Sequence, residues 1–168
     1  GRHRMGREQP ETDSDVQISA DVTTDRLRLW LQMLKAVRAV EARLRERLAI
    51  EYNSTLPRFD VLATLHATPG GLLMSELSRQ LNVSNGNVTG VVERLVSEGL
   101  VHRERLVDDR RALRVSLTES GMTATEAMIA SHRIWIDSLL SEVDGEHANA
   151  AIETMQAVRR GQRPEGGA

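Results

Sequence analysis

Residues 74–99 contain two short helical patterns joined by a tight turn, and this limits the chain to few folds. In the first pattern, Leu77 and Leu81 recur at the spacing of one helical face. Ser84 is placed to cap the second helix, because its hydroxyl can accept an otherwise unpaired backbone N–H. Gly99 is the residue type that ends a helix in the left-handed conformation. The arrangement predicts a helix-turn-helix, in which the second helix enters the major groove of DNA.

The second helix of this pair has two different faces. Its apolar face consists of Val88, Val91, Val92, Leu95 and Val96. The opposite face holds Gly86 and Gly90, although each glycine weakens a helix by about 1 kcal/mol relative to alanine. Bare backbone would let the helix lie deep in a groove while neighbouring side chains reach bases or phosphates. The predicted DNA-binding residues here are Ser84, Asn85, Asn87, Thr89 and Arg94. The alternative is an ordinary solvent-exposed face.

A β-hairpin is predicted over residues 100–117, because a period-two pattern lies on both sides of a polar turn. Before the turn Val101, Arg103 and Arg105 alternate with His102, Glu104 and Leu106, and after it Leu113, Val115 and Leu117 alternate with Arg114 and Ser116. Its tip reads Asp108-Asp109-Arg110-Arg111. We expect one carboxylate to hold an arginine in a fixed rotamer while the neighbouring arginine reaches into a narrow minor groove. Asp109, Arg110 and Arg111 are therefore predicted to bind DNA. A charged hairpin tip is usually solvated surface, but beside a helix-turn-helix it is typical of a wing.

Basic charge is concentrated in this hairpin. The whole chain has a formal net charge of −2, which does not favour a nucleic-acid partner. Between residues 102 and 114, however, arginines outnumber acidic residues by five to three. Phosphate binding requires a local basic surface and not a basic average. Arginine also suits bidentate phosphate contacts, although a GC-rich genome would give the same preference for arginine over lysine.

Long helices with apolar stripes flank the winged helix on both sides. One is predicted within residues 21–51 and two more within residues 118–160, around a winged helix at residues 58–117. Helices of this length cannot be covered within one small chain, so we expect them to form a dimer whose two-fold axis sets two recognition helices on two half-sites. Residues 1–20 are predicted to be disordered and residues 161–168 to form a flexible tail. The predicted fold is mainly α with a small β-wing.

Several classes of protein are disfavoured by what the sequence lacks. It has no cysteine, which removes disulfides, thiolate metal sites and cysteine-based redox switches. No apolar run approaches the ~20 residues of a membrane span, and no secretory signal is readable. We therefore expect no membrane contact and a cytoplasmic location. Phosphate-loop and hydrolase motifs are missing and the histidines are far apart, so we expect no catalytic residue, cofactor or metal site.

Two short motifs in and after the hairpin match a known family pattern. Residues 109–112 read Asp-Arg-Arg-Ala, and residues 115–121 read Val-Ser-Leu-Thr-Glu-Ser-Gly. Together with the helix order, they resemble the MarR family of bacterial winged-helix regulators over roughly residues 21–160. The family pattern is Asp-x-Arg, a short strand, then Leu-Thr-x-x-Gly opening a long helix. The resemblance implies a homodimer that binds a double-stranded DNA operator, commonly as a repressor, and loses DNA affinity when a small ligand binds.

The four aromatic residues, Trp30, Tyr52, Phe59 and Trp135, all lie outside the predicted DNA-reading stretch. Singly, each is more simply a core residue. As a set with His66 and Arg38, they are predicted to line the effector pocket that the resemblance places between the dimer region and the winged helix. The family's effectors are often phenolic or aromatic acids. Residues 29–65 are also similar to members that respond to hydroxycinnamates or their coenzyme A thioesters, which implies a link to aromatic compound catabolism.

The sequence therefore favours a repressor that binds a pseudo-palindromic operator as a homodimer and is released by an aromatic acid or its CoA thioester. One alternative is a winged-helix DNA-binding protein without an effector, in an activator or architectural role. An enzyme is the third alternative.

Overall fold

The computed structural model describes the backbone of residues 13–81 and 85–163, and the side chains of residues 21–81 and 87–163. Predictions on Ser84, on residues 1–12 and on residues 164–168 lie outside the described residues. The described elements are α1 (Asp13–Tyr52), α2 (Leu56–His66), β1 (Leu72–Leu73), α3 (Met74–Leu81), α4 (Asn85–Ser97), β2 (Val101–Arg105), β3 (Leu113–Leu117), α5 (Glu119–Leu139) and α6 (Gly145–Arg160). The chain divides into two units, Gly1–Arg43 and Leu44–Ala168.

The first unit contains most of α1, which starts earlier than expected. The prediction of disorder over residues 1–20 is wrong for residues 13–20, because the helix begins at Asp13. Residues 13–20 contain neither proline nor glycine. A helix already nucleated downstream extends through such residues, since each one adds a backbone hydrogen bond. The unit leaves apolar side chains exposed, with Leu27, Trp30 and Val37 at 58%, 53% and 56% exposure.

The second unit contains the core. It packs the end of α1 with α2, the helix-turn-helix, the sheet and α5, and its fully buried side chains include Leu48, Leu62, Leu77, Leu95, Val88, Val92 and Val115. The apolar face predicted for α4 is therefore confirmed. Gly99 ends the α4 region with φ +75°, the left-handed conformation expected of it.

Helix α2 begins at Leu56, two residues before the predicted start of the winged helix at residue 58. Thr55 is its N-cap, in extended conformation, and its hydroxyl accepts the backbone N–H of Arg58 at 3.4 Å. Pro57 lies in the first turn, where its fixed φ suits the helix and its missing N–H costs nothing. A capping threonine followed by proline was the signal in the sequence for this earlier start.

The three strands form one antiparallel sheet in the order β1-β3-β2. The short first strand, β1, pairs Leu72 with Val115. The hairpin pairs Val101 with Leu117 and Arg105 with Leu113, so β3 is the central strand. The predicted class, mainly α with a small β-wing, is confirmed.

Two helices follow the sheet. Thr118 caps α5, its hydroxyl accepting the Gly121 N–H at 3.0 Å. Helix α5 ends at Leu139. Asp144 caps α6 by accepting the His147 N–H at 2.9 Å. Helix α6 has no buried side chain within the described chain.

Candidate nucleic-acid interface

The face of α4 opposite its buried valines is exposed. Asn87, Thr89 and Arg94, all predicted to bind DNA, lie on this helix with exposed side chains. Asn85 is the first residue of α4, but its side chain lies outside the described part, as does Ser84. No atom lies within 4 Å of the position that a side chain at Gly90 would occupy. The described face therefore offers bare backbone flanked by polar and basic side chains.

An ion pair fixes the end of α4 against the start of α2. The Arg58 guanidinium donates to both carboxylate oxygens of Glu98, at 2.8 Å for Nη1 to Oε1, and Nη2 contacts Oε2. The hydrogen bond from Arg58 holds the pKa of Glu98 below its usual value, against an opposing effect of burial. The Arg58 side chain is only 16% exposed. A planar bidentate pair of this kind restrains the orientation of the two helices.

A second, longer contact links α4 to the wing. Glu93 Oε1 lies 3.9 Å from Arg103 Nη1 on β2, and both side chains are partly exposed. An exposed pair at this distance adds little to stability. Its consequence is local, because it directs one arginine of the hairpin towards α4.

The wing tip is held by hydrogen bonds within the turn. Leu106 N–H donates to Ala112 O at 3.1 Å, and Ala112 N–H donates to Asp109 O at 3.0 Å. The Asp109 carboxylate accepts the backbone N–H of Arg111 at 3.0 Å. The expectation that this carboxylate holds an arginine guanidinium is therefore wrong, because it stabilises the turn backbone instead, in the manner of an Asx turn.

The five arginines of the hairpin have different surroundings. Arg103 faces Glu93, Arg105 donates to Arg110 O at 2.8 Å, and half-buried Arg114 donates to Gly71 O at 3.5 Å. Arg110 and Arg111 are exposed at the tip, and within the described residues neither guanidinium has an ion-pair partner. These two side chains are therefore available to an anionic partner.

The residues predicted to bind an effector divide between the two units. Trp30 and Arg38 are exposed on the first unit. In the second unit the Tyr52 ring lies edge-on to Trp135, with centroids 6.1 Å apart, and the Tyr52 hydroxyl lies 2.5 Å from Ser131 Oγ. Phe59 and Trp135 are only 5% and 6% exposed, so both contribute to the core.

Two histidines lie beside these aromatic rings. His66 Nε2 is 3.5 Å from Glu126 Oε1. His132, which was not among the predicted site residues, stacks on Phe59 with ring centroids 4.8 Å apart. Burial lowers the pKa of His132. Its position on the apolar side of α5, three residues from Trp135, was the sequence signal that could have identified it.

Two other kinds of site are absent from the described residues. Among them, no group of three or more His, Cys, Asp or Glu side chains could hold a metal ion. No described helix is both long and apolar enough to span a membrane.

The sequence model of the MarR family matches residues 54–113. An HTH-type transcriptional regulator of Bacillus subtilis, YfiV, is 25% identical over 111 residues, covering 66% of this chain and 69% of that protein. The chain spans about two thirds of the length of the first relatives that it matches. These relatives are transcriptional regulators and not enzymes.

Two solved structures have the same fold. A MarR family transcriptional regulator from Silicibacter pomeroyi is 29% identical, with a TM-score of 0.73 over 85% of this chain and 99% of that chain. Sco3205 of Streptomyces coelicolor, a MarR family regulator solved in complex with DNA, is 22% identical, with a TM-score of 0.75 over 84% of this chain and 93% of that chain. At 22% identity, the similarity to Sco3205 shows a shared fold only.

Proposed function

On the premise that residues 54–113 form a MarR-family winged helix, we propose that this chain is a transcriptional regulator that binds double-stranded DNA through α4 and the wing tip. The observation that carries the proposal is the tip itself, where a hydrogen-bonded turn presents the exposed guanidiniums of Arg110 and Arg111. The Streptomyces coelicolor neighbour, which shares the fold, was solved in complex with DNA.

The proposed contacts lie in both the major and the minor groove of the DNA. Asn87, Thr89 and Arg94, with Ser84 and Asn85 at the helix start, face the major groove, where amide and guanidinium groups read base edges. Arg110 and Arg111 face the adjacent minor groove, whose negative potential attracts arginine. The Arg58–Glu98 pair restrains the end of α4 while the side chains of this helix contact DNA.

The first test removes the tip arginines. Arg110→Ala and Arg111→Ala should each weaken specific binding by about 1–3 kcal/mol and reduce the salt dependence, because a phosphate contact is lost. The probe is a duplex recovered by selection from a random-sequence pool, titrated in a mobility-shift assay at several salt concentrations. Arg28→Ala is the matched control, since Arg28 forms only an exposed pair with Asp25. Unchanged affinity in both tip variants would remove the wing from the mechanism.

Asp109 provides a second test of the tip. Asp109→Ala removes the acceptor of the Arg111 N–H and should loosen the turn, weakening DNA binding less than Arg111→Ala does. Asp109→Asn keeps an acceptor oxygen and should bind nearly as the parent chain does. Because Asp109 acts through the turn that carries Arg111, the effects of the Asp109→Ala and Arg111→Ala changes should be non-additive.

The proposed regulator is a homodimer on a pseudo-palindromic operator, acting as a repressor. Support comes from the apolar side chains that α5 and α6 leave exposed, such as Ile134 at 70% and Ile152 at 53%. Two-fold symmetry would set the recognition helices about 34–36 Å apart, one turn of DNA. Repression is tested by placing the selected duplex across a promoter and measuring transcript yield against protein concentration. A rise in yield would indicate an activator.

We further propose that an aromatic acid or its CoA thioester releases the protein from DNA. The support is the set of aromatic side chains outside the DNA-binding elements, with Tyr52, Phe59, His66 and Trp135 near the ends of α1, α2 and α5, and with Trp30 and Arg38 on the first unit. Tenfold weaker DNA binding requires a difference of only ~1.4 kcal/mol between the two states in ligand affinity.

The effector test is a panel of aromatic acids and their thioesters, scored by calorimetry and by release from the selected duplex. Binding should quench tryptophan fluorescence, and Trp30→Ala and His66→Ala should weaken it. If no compound binds below millimolar concentration, the alternative holds, namely a winged-helix DNA-binding protein without an effector.

A further inference from the structure

Val107 is the most exposed large apolar side chain among the described residues. It is 98% exposed, whereas the next two, Ile50 and Ile134, are 75% and 70% exposed and lie on α1 and α5. Val107 lies in the turn between β2 and β3 and belongs to none of the helices that the proposed dimer would cover. An apolar side chain left fully in water at a rigid tip is stabilised when a partner surface removes it from water.

The surroundings of Val107 combine apolar and basic groups. Arg105, Leu106, Val107 and Arg110 line an open hollow of about 520 Å³. The hollow has a fixed edge, because the Arg105 guanidinium donates to Arg110 O at 2.8 Å and Leu106 N–H donates to Ala112 O at 3.1 Å. Asp108 and Asp109 supply the two carboxylates of this turn. The carboxylate of Asp109 accepts the backbone N–H of Arg111.

The chemistry of this hollow matches one edge of a DNA minor groove. The walls of that groove are deoxyribose rings, which present C–H groups, and they are bordered by phosphates. We propose that the hollow seats one sugar–phosphate edge, with Val107 packed on deoxyribose and the guanidiniums of Arg105 and Arg110 towards the flanking phosphates. The proposal rests on the DNA-binding function proposed above.

This contact makes Val107 a determinant of specificity through DNA shape. A wing tip that is seated on one wall of the groove also approaches the opposite wall only where the minor groove is narrow, as in A·T-rich steps. Val107 would therefore favour A·T-rich sequence under the wing without contacting the edge of any base. Arginine supplies attraction to any phosphate, whereas the apolar contact depends on the width of the groove.

The experiment compares the full-length protein with Val107→Ala and the near-isosteric Val107→Thr on the duplex selected by the parent protein. Val107→Ala should bind about five- to tenfold more weakly, from the loss of two buried methyl groups. Val107→Thr should lose less, since one methyl remains. Neither change should alter the salt slope, because no ion pair is lost, whereas Arg110→Ala should lower the slope by about one. Both Val107 variants should melt at the parent temperature.

A second arm changes the DNA. The base pairs under the wing, located by hydroxyl-radical footprinting, are changed from A·T to G·C and then to inosine·C, which lacks the guanine amino group in the minor groove. The parent protein should lose affinity with G·C and regain it with inosine·C, while Val107→Ala should respond less to either change. Parent-like affinity of Val107→Ala, or an equal response of the two proteins to these base pairs, would overturn the proposal.

The failure of this inference is distinguishable from failure of the proposed function. If the parent protein recovers no duplex from the pool, DNA binding itself is contradicted and the role of Val107 falls with it. If the parent protein binds and depends on Arg110 but not on Val107, DNA binding stands and only the apolar contact is rejected.

Discussion

His132 is a residue whose protonation should affect the stability of the fold. Its ring is half-buried on α5 and stacks on Phe59. Burial disfavours the imidazolium, so the pKa of His132 is lowered from 6.5 in the folded protein. The unfolded chain therefore takes up this proton first as pH falls. The contribution of His132 is fully present above pH 6.5 and is lost as pH falls through the folded pKa.

We predict that His132→Gln flattens the pH dependence of unfolding between about pH 7 and pH 5. At pH 7 the variant should be less stable by about 1 kcal/mol, because the ring contact with Phe59 is lost. Urea denaturation at several pH values measures both effects. The difference between the two proteins isolates His132 from the Glu98 carboxylate, whose lowered pKa acts in a more acidic range, below 4.5. Parallel stability curves for the two proteins would contradict the prediction.

The junction between the hairpin and α5 is closely packed at Gly121. A Cβ at Gly121 would lie 1.9 Å from Leu100 O, which is backbone and cannot turn away. Thr118 closes the same junction, since its hydroxyl donates to Gly99 O at 2.6 Å and accepts the Gly121 N–H at 3.0 Å. The glycine of the Leu-Thr-x-x-Gly pattern is therefore required by close packing of α5 against the start of β2.

We predict that Gly121→Ala destabilises the protein by about 1–3 kcal/mol or more, as overpacking does. Gly90→Ala is the matched control, because nothing lies within 4 Å of its new methyl group. In the interior of α4 that change should stabilise the helix by about 1 kcal/mol. It should also weaken DNA binding if α4 lies deep in the major groove. Thermal melting compares the two variants, and similar shifts for both would show that the junction is not tightly packed.

The elements predicted from the sequence are those with a local periodic signal. The apolar spacing of α4 predicts which of its faces is buried, and the period-two pattern of β2 and β3 predicts a hairpin. The structure confirms the buried face of α4 and the pairing of the two strands. Contacts between distant residues have no such signal. Arg58 and Glu98 are 40 positions apart, and nothing in either local pattern pairs them.

Side-chain roles within the site were harder to predict than the elements that carry them. The position of Asp109 at the wing tip follows from the hairpin, but its partner does not. A carboxylate in a tight turn can reach its own backbone two residues on without ordering a long side chain, and this is the partner that it takes. The start of α1 at Asp13 shows the same limit, since polar composition alone did not reveal a helix that continues from a strong downstream segment.

At the scale of the whole molecule, both units of the chain leave large apolar side chains exposed. Helix α6 buries no side chain within the described chain, and α5 leaves Ile134 70% exposed. The first unit also exposes Leu27 and Trp30. Large exposed apolar patches on a soluble protein often mark sites of protein–protein contact. A second copy of the chain supplies an equivalent set of apolar side chains, and an isologous two-fold contact would cover both sets at once.

We therefore predict a homodimer that buries more than about 2,000 Å² and persists at low micromolar concentration. Ile134→Glu combined with Ile152→Glu should shift the protein towards monomer in sedimentation experiments, because burying an unpaired carboxylate in the interface is unfavourable. Val107→Ala, at the wing tip, should leave the mass unchanged. Binding to two duplexes distinguishes a loss of dimerisation from a loss of DNA recognition. The dissociated variant should lose its preference for a duplex with two half-sites over a duplex with one. A folded monomer of the parent chain that still binds the palindrome tightly would contradict the dimer.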